Sequence, residues 1–335
     1  MRSRGMNQLL VAAFYAFVPL EKSQRELLLE RLPILAREGS VLGSVLVADE
    51  GVNGTICGPQ QAVEALLEQL RLSLPIGASH YERLEVKRSW AKKPVFRRFK
   101  ARRKKEIVTI GDCAVDPRSS VGTYVDPKDW NALVDDPETL VIDTRNSYET
   151  AIGTFEGSVD PGTESFRDFP RWAEQHLKPL LEENGQKRVA MFCTGGIRCE
   201  KASSYLQQRG FGEIHHLRGG ILSYLEQVPE QHSRWHGECF VFDQRVALNH
   251  QLEPGEHCLC HACGFPVSPE QRALSSYIKG VQCVHCVDRF SDADRGRFAM
   301  RQSQIDASAK RESTRAINSS TSNQNSRGLS DPVDL

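Results

Sequence analysis

No apolar run in this 335-residue chain approaches the roughly 20 residues that a membrane-spanning helix requires, which excludes a transmembrane reading. Net charge is missing too. Lys+Arg and Asp+Glu both total 43, so the sum of charges names no partner. No internal repeat is visible, which excludes a repeat architecture. No flavin, haem or nicotinamide fingerprint occurs either, so any redox chemistry would draw its electrons from a source the sequence does not show. The N-terminus "MRSRGMNQLLVAAFYAFVPLEKSQ" has the basic start and apolar stretch of a signal peptide. It lacks a clear small-residue cleavage site, and a helix-patterned segment follows directly, so it reads as a first strand.

What is present is unevenly distributed. Ten cysteines, several in C-x-x-C pairs, fit metal and catalytic use in a reducing compartment better than a disulfide framework. A cytoplasmic protein is expected. The length allows two or three domains. Residues 8 to 18 read as a strand, 21 to 38 as a helix, and "GSVLVADEGVNGTICG" as two strands joined by a Glu-Gly turn. A helix over 59 to 72 and a strand beginning in "YERLEVKRS" complete a split βαβ, ferredoxin-like order over residues 1–115. From 121 to 232 strands alternate with helices, "TLVIDTR", "RVAMFC" and "EIHHL" being the clearest strands, which predicts a parallel α/β sheet. Cysteines concentrate over 236–300. The tail, 301–335, is polar and Ser/Asn-rich and is expected to be disordered.

The stretch "CTGGIRC", residues 193 to 199, carries the first chemical signal. Cys193 ends an apolar strand and stands before a helix, where open α/β sheets place their ligands. Converging N–H groups at a helix N-terminus lower a thiol's pKa. Gly195 and Gly196 are expected to curl the backbone into an anion nest, with Arg198 adding positive charge at the rim. The plainer reading is a buried structural cysteine. Cys199 reads equally as a resolving thiol and as a packed one. Asp143 and Arg145 are expected to hold the loop by hydrogen bonds rather than to react. His215 and His216 point to opposite faces of a strand, which argues against joint metal binding. Cys57 and Cys113 read as ordinary strand residues.

Only Thr194, Gly195, Gly196 and Ile197 separate Cys193 from Arg198. Tyrosine phosphatases use five residues there. The shorter loop resembles the rhodanese cradle, sized for a persulfide sulfur, and "VIDTRNSYETAIGTFEGSV" and "HLRGGILSYL" resemble other parts of a rhodanese domain. With "GVNGTICG", "PVFRRFKARRKKEIVTIG", "GTYVDPKDWNALV", "SFRDFP" and "GECFVFDQRVA", the chain from about Leu9 to Cys286 is similar to the rhodanese-domain tRNA wobble-uridine hydroxylases. That resemblance implies oxygen-dependent conversion of uridine 34 in the anticodon loop to 5-hydroxyuridine, with Cys193 essential and no DNA substrate. The residues alone lead only as far as a thiolate site and sulfur transfer. A non-catalytic RNA-binding module is a third class, against which the intact cysteine loop counts.

The second signal is "KRSWAKKPVFRRFKARRKK", residues 87 to 105, with eleven Lys or Arg and no acid. Such density marks a polyanion partner, and Lys92, Lys93, Arg97, Arg98, Arg102, Arg103, Lys104 and Lys105 are candidate phosphate contacts. Trp90, Phe96 and Phe99 are candidates for stacking on a base, or else for the core. A strand edge guarded by charge is the competing reading. The third signal pairs Cys260-x-x-Cys263 with Cys283-x-x-Cys286, a four-cysteine ribbon spacing that suits structural Zn²⁺. Iron or redox-active thiols would fit the same spacing, with Cys258, His261 and His285 as substitutes or bystanders.

Overall fold

The computed structural model describes residues 8–75, 84–112 and 114–325, with backbone alone for 309 and 312–325. It divides into two compact units, Met1–Gly255 and Glu256–Leu335. Cys113 lies outside the described residues. Among the described residues no helix is long and apolar enough to cross a membrane.

The first unit begins with β1 (Leu9–Phe17), α1 (Lys22–Glu38), β2 (Leu42–Ala48), β3 (Gly51–Gly58), α2 (Gln60–Ser73), β4 (Glu85–Ala91) and β5 (Phe99–Arg103). The sheet order β4-β1-β3-β2 is antiparallel throughout, which is the ferredoxin-like arrangement, and β5 adds in parallel beside β2. β1 is central and buried on both faces. Leu10, Ala12, Phe14 and Ala16 pack with residues of α1 and α2 such as Leu28 and Leu66, while Val11, Tyr15 and Phe17 fill clusters on the opposite face. Double burial explains the continuous apolar run that imitates a signal peptide. Both edge strands, β4 and β5, come from the basic run, which is therefore part of this sheet as well as the link to the next one.

Next come β6 (Thr123–Val125), α3 (Pro127–Val134), β7 (Thr139–Asp143), α4 (Ser147–Thr150), β8 (Gly153–Phe155), α5 (Phe169–Trp172), α6 (Lys178–Asn184), β9 (Arg188–Phe192), α7 (Ile197–Gln208), β10 (Glu213–Leu217) and α8 (Gly220–Gln227). β6, β10, β9 and β7 form a parallel sheet in that order. Its two faces are packed by separate clusters, Val189 and Met191 on one and Ala190 and Phe192 on the other. That double burial makes "RVAMF" uniformly apolar.

The first unit closes with β11 (Trp235–Gly237), β12 (Cys239–Phe240) and β13 (Ala247–Leu248). The cysteine-rich region, expected from residue 236, begins instead at Glu256. β11 pairs with β8, and Trp235 and Cys239 are buried among Phe155, Phe192 and Tyr224, which ties this segment to the parallel sheet.

The second unit holds β14 (Cys258–Leu259) paired with β15 (Pro266–Val267), α9 (Pro269–Arg272) and α10 (Asp292–Asn325). Most of the tail expected to be disordered is thus helical as far as Asn325. Its polar composition conceals the fact that residues 297–325 contain no glycine or proline. Ser291 and Asp294 cap the start, and Gln302 is buried with its amide on Asp306.

Candidate active site and four-cysteine cluster

Cys193 stands directly after β9 and is 1% exposed. Gly196 holds φ at +102°, a conformation that aims its N–H at Cys193 Sγ, 3.1 Å away. The N–H of Cys199, in the first turn of α7, bonds to the same sulfur. Burial alone would raise this thiol's pKa. The Cys199 thiol, the Arg198 charge and the two N–H groups more than reverse that effect, and the pKa falls to about 6. For Cys199, burial and the neighbouring Cys193 sulfur push the pKa well above the ordinary thiol value. Cys193 is therefore the thiolate of the pair and Cys199 its neutral donor. Cys199 Sγ also lies 3.5 Å from Thr144 Oγ1.

Of the two glycines expected to shape the nest, only Gly196 has a positive φ; a Cβ on Gly195 would meet nothing within 4 Å. The loop is instead clamped from α8. Ile221 N–H donates to Cys193 O at 2.9 Å and Leu222 N–H to Thr194 O at 3.1 Å. Gly220 permits that approach, since a Cβ there would come within 2.4 Å of Cys193 O.

Arg198 is not at a solvent rim. It is buried, with Nη1 on Glu149 Oε1 at 2.6 Å and Nη2 on Oε2 at 2.8 Å, and it reaches Thr194 Oγ1 at 3.3 Å. Burial would raise the Glu149 carboxyl, but the charges and bonds of Arg198 hold it below the usual range. Sequence reasoning missed Glu149 as a site residue. Its signals were its place in the rhodanese-like stretch "VIDTRNSYETAIG" and the Asn146–Glu149 capping box that starts α4. Asp143 and Arg145 form a fully buried pair, and Arg145 also donates to the carbonyls of Glu149 and Gly153. They brace the turn that presents Glu149, one step removed from the cysteine loop.

This geometry predicts a large stability effect. Glu149→Ala leaves the buried Arg198 guanidinium without its counter-charge, and unfolding free energy in urea should fall by about 3–5 kcal/mol. The less compensated cation should also lower the Cys193 pKa further, a shift readable by alkylation rate against pH.

The antiparallel sheet covers the loop through a second set of partners that the sequence did not announce. Tyr15 OH, on β1, donates to Glu200 Oε1 at 2.6 Å, and a Cβ on Gly196 would lie 3.0 Å from that hydroxyl. Burial raises the Glu200 carboxyl to about 7 against bonds from Tyr15 and Tyr124. Lys201, 1% exposed, bridges Glu50 at 2.8 Å and Glu106 at 2.6 Å. Ile197 packs against the cluster of Tyr15, Phe17 and Ile107. Between sheet and loop lies a cavity of about 480 Å³, lined among others by Tyr15, Asn53, Lys87, Cys193, Arg198 and Phe242. Its size is that of a small-ligand pocket.

Residues 9–107 match the UPF0176 acylphosphatase like domain, and residues 126–227 match the rhodanese-like domain. The tRNA uridine(34) hydroxylase of Synechococcus sp. (strain CC9605) is 78% identical over 90% of this chain and 92% of its own length. That of Parasynechococcus marenigrum (strain WH8102) is 74% identical over 91% and 95%. That of Prochlorococcus marinus (strain MIT 9313) is 56% identical over 90% and 96%. The chain belongs to the tRNA uridine(34) hydroxylase family.

In this family member the basic run is partly exposed, with Lys87 and Lys100 half-buried. Lys92, Lys93, Arg97, Arg98, Arg102, Arg103, Lys104 and Lys105 all face solvent. Among the described residues no acid pairs with any of the eight. Crowding by Arg98 and Arg102 lowers the pKa of Lys100. The aromatics behave differently. Trp90 and Phe99 pack against the core beneath the helices, and Phe96 packs beside Val11 and Val95 while lining the cavity. His216 is buried on Gly122 O, and burial lowers its pKa to about 3, while His215 pairs with Glu213 on the other face. Cys57 is an ordinary buried residue of β3, as its sequence context implies.

In the second unit, Sγ atoms of Cys260, Cys263, Cys283 and Cys286 lie within 4.8 Å of one another, an arrangement that can hold a metal ion. The pairs 260–286, 263–283 and 283–286 are separated by 3.9, 3.8 and 3.8 Å. Four thiolates about 2.3 Å from a tetrahedral ion would be spaced by roughly that distance, so the donor set fits. Cys258 is outside the set, and His285 is stacked on Phe265 and bonded to Gln271.

Proposed function

We propose that this protein hydroxylates carbon 5 of uridine 34 in tRNA, using dioxygen, with Cys193 as the reacting thiolate. The observation that carries the reading is a buried thiol, held by the Gly196 N–H at 3.1 Å and lining a nucleoside-sized cavity between the two sheets. The names of relatives up to 78% identical supply the substrate. Thr194, Gly196 and Arg198 hold the sulfur and its loop, Ile197 seals it against the antiparallel sheet, and Gly195 leaves room beside it. The same cradle fits a persulfide, since N–H donors ring the sulfur, and sulfur transfer is the rival product. The test is mass analysis of uridine 34 from cells with and without the protein. A nucleoside heavier by one oxygen supports the reading. A product in which sulfur has replaced an oxygen, nearly isobaric with the hydroxylated one and told from it by exact mass and retention, removes it, as does unchanged uridine.

The eight exposed cations between β4 and β5, on β5 and just after it are proposed to grip the tRNA backbone around the anticodon loop, in the cytoplasm, with no role for DNA or membrane. Charge on edge strands also blocks sheet-to-sheet pairing, but that duty needs far fewer cations. A variant with Gln at Arg97, Arg98, Arg102 and Arg103 should bind all tRNAs more weakly. Its plot of log K against log salt should flatten by roughly 0.7 to 0.9 for each phosphate that the variant no longer grips. An unchanged slope would leave the run as edge protection only. Zinc in the four-cysteine cluster is proposed to be structural. The electrons for hydroxylation come from a donor outside the described groups.

A further inference from the structure

No other phenylalanine among the described residues is as open to solvent as Phe242, which is 60% exposed. It lines the same cavity as Cys193. Its ring meets Phe240 edge-on at 5.2 Å and has the Arg198 guanidinium 5.8 Å from its centre. The segment that carries it, between β12 and β13, is held firmly. Arg245 grips Asp243 through two nitrogens and reaches Ser89 Oγ at 2.7 Å, and Gln244 N–H donates to Val95 O at 3.1 Å. Val246 sits at φ +67°, a conformation a β-branched residue adopts only when its surroundings impose it. Those two contacts leave more than half of Phe242 open to solvent, on a braced loop beside a buried thiolate.

Reaching that thiolate sets a geometric demand. Cys193 is 1% exposed, so carbon 5 of a uridine that remains stacked in its loop cannot approach the sulfur. The base must leave its neighbours and enter the cavity, losing its stacking as it does so. Proteins that splay bases out of RNA restore the loss on an aromatic face. We propose that Phe242 is that face: the flipped uracil stacks on its ring on entering the cavity. The inference rests on the uridine reading above and adds the residue that positions the base.

The probe is an anticodon stem-loop carrying 5-fluorouridine at position 34, observed by fluorine NMR with the full-length protein. Stacking on a phenyl ring shifts the fluorine resonance upfield through the ring current. Wild type and Phe242→Tyr should both give the shift, and Phe242→Leu should abolish it. With tRNA as substrate, Phe242→Leu should lose roughly ten- to hundredfold in kcat/KM, carried by KM, and Phe242→Tyr should restore most of it. An identical fluorine shift in wild type and Phe242→Leu, with kcat/KM within about twofold, would overturn the proposal. Absence of oxygen in the wild-type product would instead remove the hydroxylase reading, and the fluorine result would still decide the role of Phe242.

Discussion

Cys193→Ser should abolish modification of uridine 34 while leaving Met1–Gly255 folded. Serine is nearly isosteric, and its oxygen can accept the Gly196 N–H now given to sulfur at 3.1 Å. The stability cost should stay near ~1 kcal/mol, because no cavity opens and the polar site keeps its donors. The chemical loss is complete for a different reason. A hydroxyl in this nest remains protonated at neutral pH, whereas the thiol, lowered to about 6, is mostly ionised. Hydroxyuridine assayed by mass, beside a urea midpoint lowered only by that small stability cost, separates the two effects. Full residual activity would end the nucleophile reading.

The same pKa fixes the pH dependence. With Cys193 reacting as the proposed thiolate, the rate should rise through about pH 6 and level off above it. Folding is linked with the same sign. The folded pKa lies below the roughly 8.5 of an unfolded thiol, so this group's stabilisation is complete above that value and is lost as pH falls through about 6. Cys199 enters through its hydrogen bond to the Cys193 sulfur. Serine at 199 can still donate and should be the milder substitution.

Much of this site was legible because its parts lie within one turn of chain. Cys193, Gly196, Arg198 and Cys199 fall within seven residues, and a strand-loop-helix turn makes them neighbours whatever the rest of the fold does. The partners that set their chemistry come from far along the sequence. Glu149 is 49 residues from Arg198, and Tyr15 is 185 from Glu200. Each looks like an unremarkable polar residue of a short helix or a buried strand until the sheets are packed. Phe242 was hidden for the opposite reason, since an aromatic in "CFVF" reads as core. The central strands β1 and β9 were legible as continuous apolar runs rather than by alternation, because both of their faces are buried. The stretch beyond Met300 was not, because low hydrophobicity argues against a packed face but says nothing against a helix free of breakers.

Removing metal should unfold the ordered part of the second unit and leave the first intact. The core of Glu256–Leu335 is small: Cys260, Cys283 and Cys286 are buried with Val267, and Cys263, Tyr277 and Phe290 pack around them. Three of its four fully enclosed members are the proposed ligands, so little apolar burial remains when they are not held together. A four-thiolate zinc site in a small domain contributes on the order of 10 kcal/mol or more, which exceeds what such a core supplies. Purified protein should carry one zinc per chain by elemental analysis. On chelation, amides of 256–290 should exchange freely while those of β1 and β9 stay protected. Cys283→Ser should reproduce that pattern without chelator. Cys258→Ser should not, because Cys258 lies outside the set of four. Stoichiometric iron in place of zinc would overturn the structural assignment and make this cluster a candidate for the electron source of the hydroxylation.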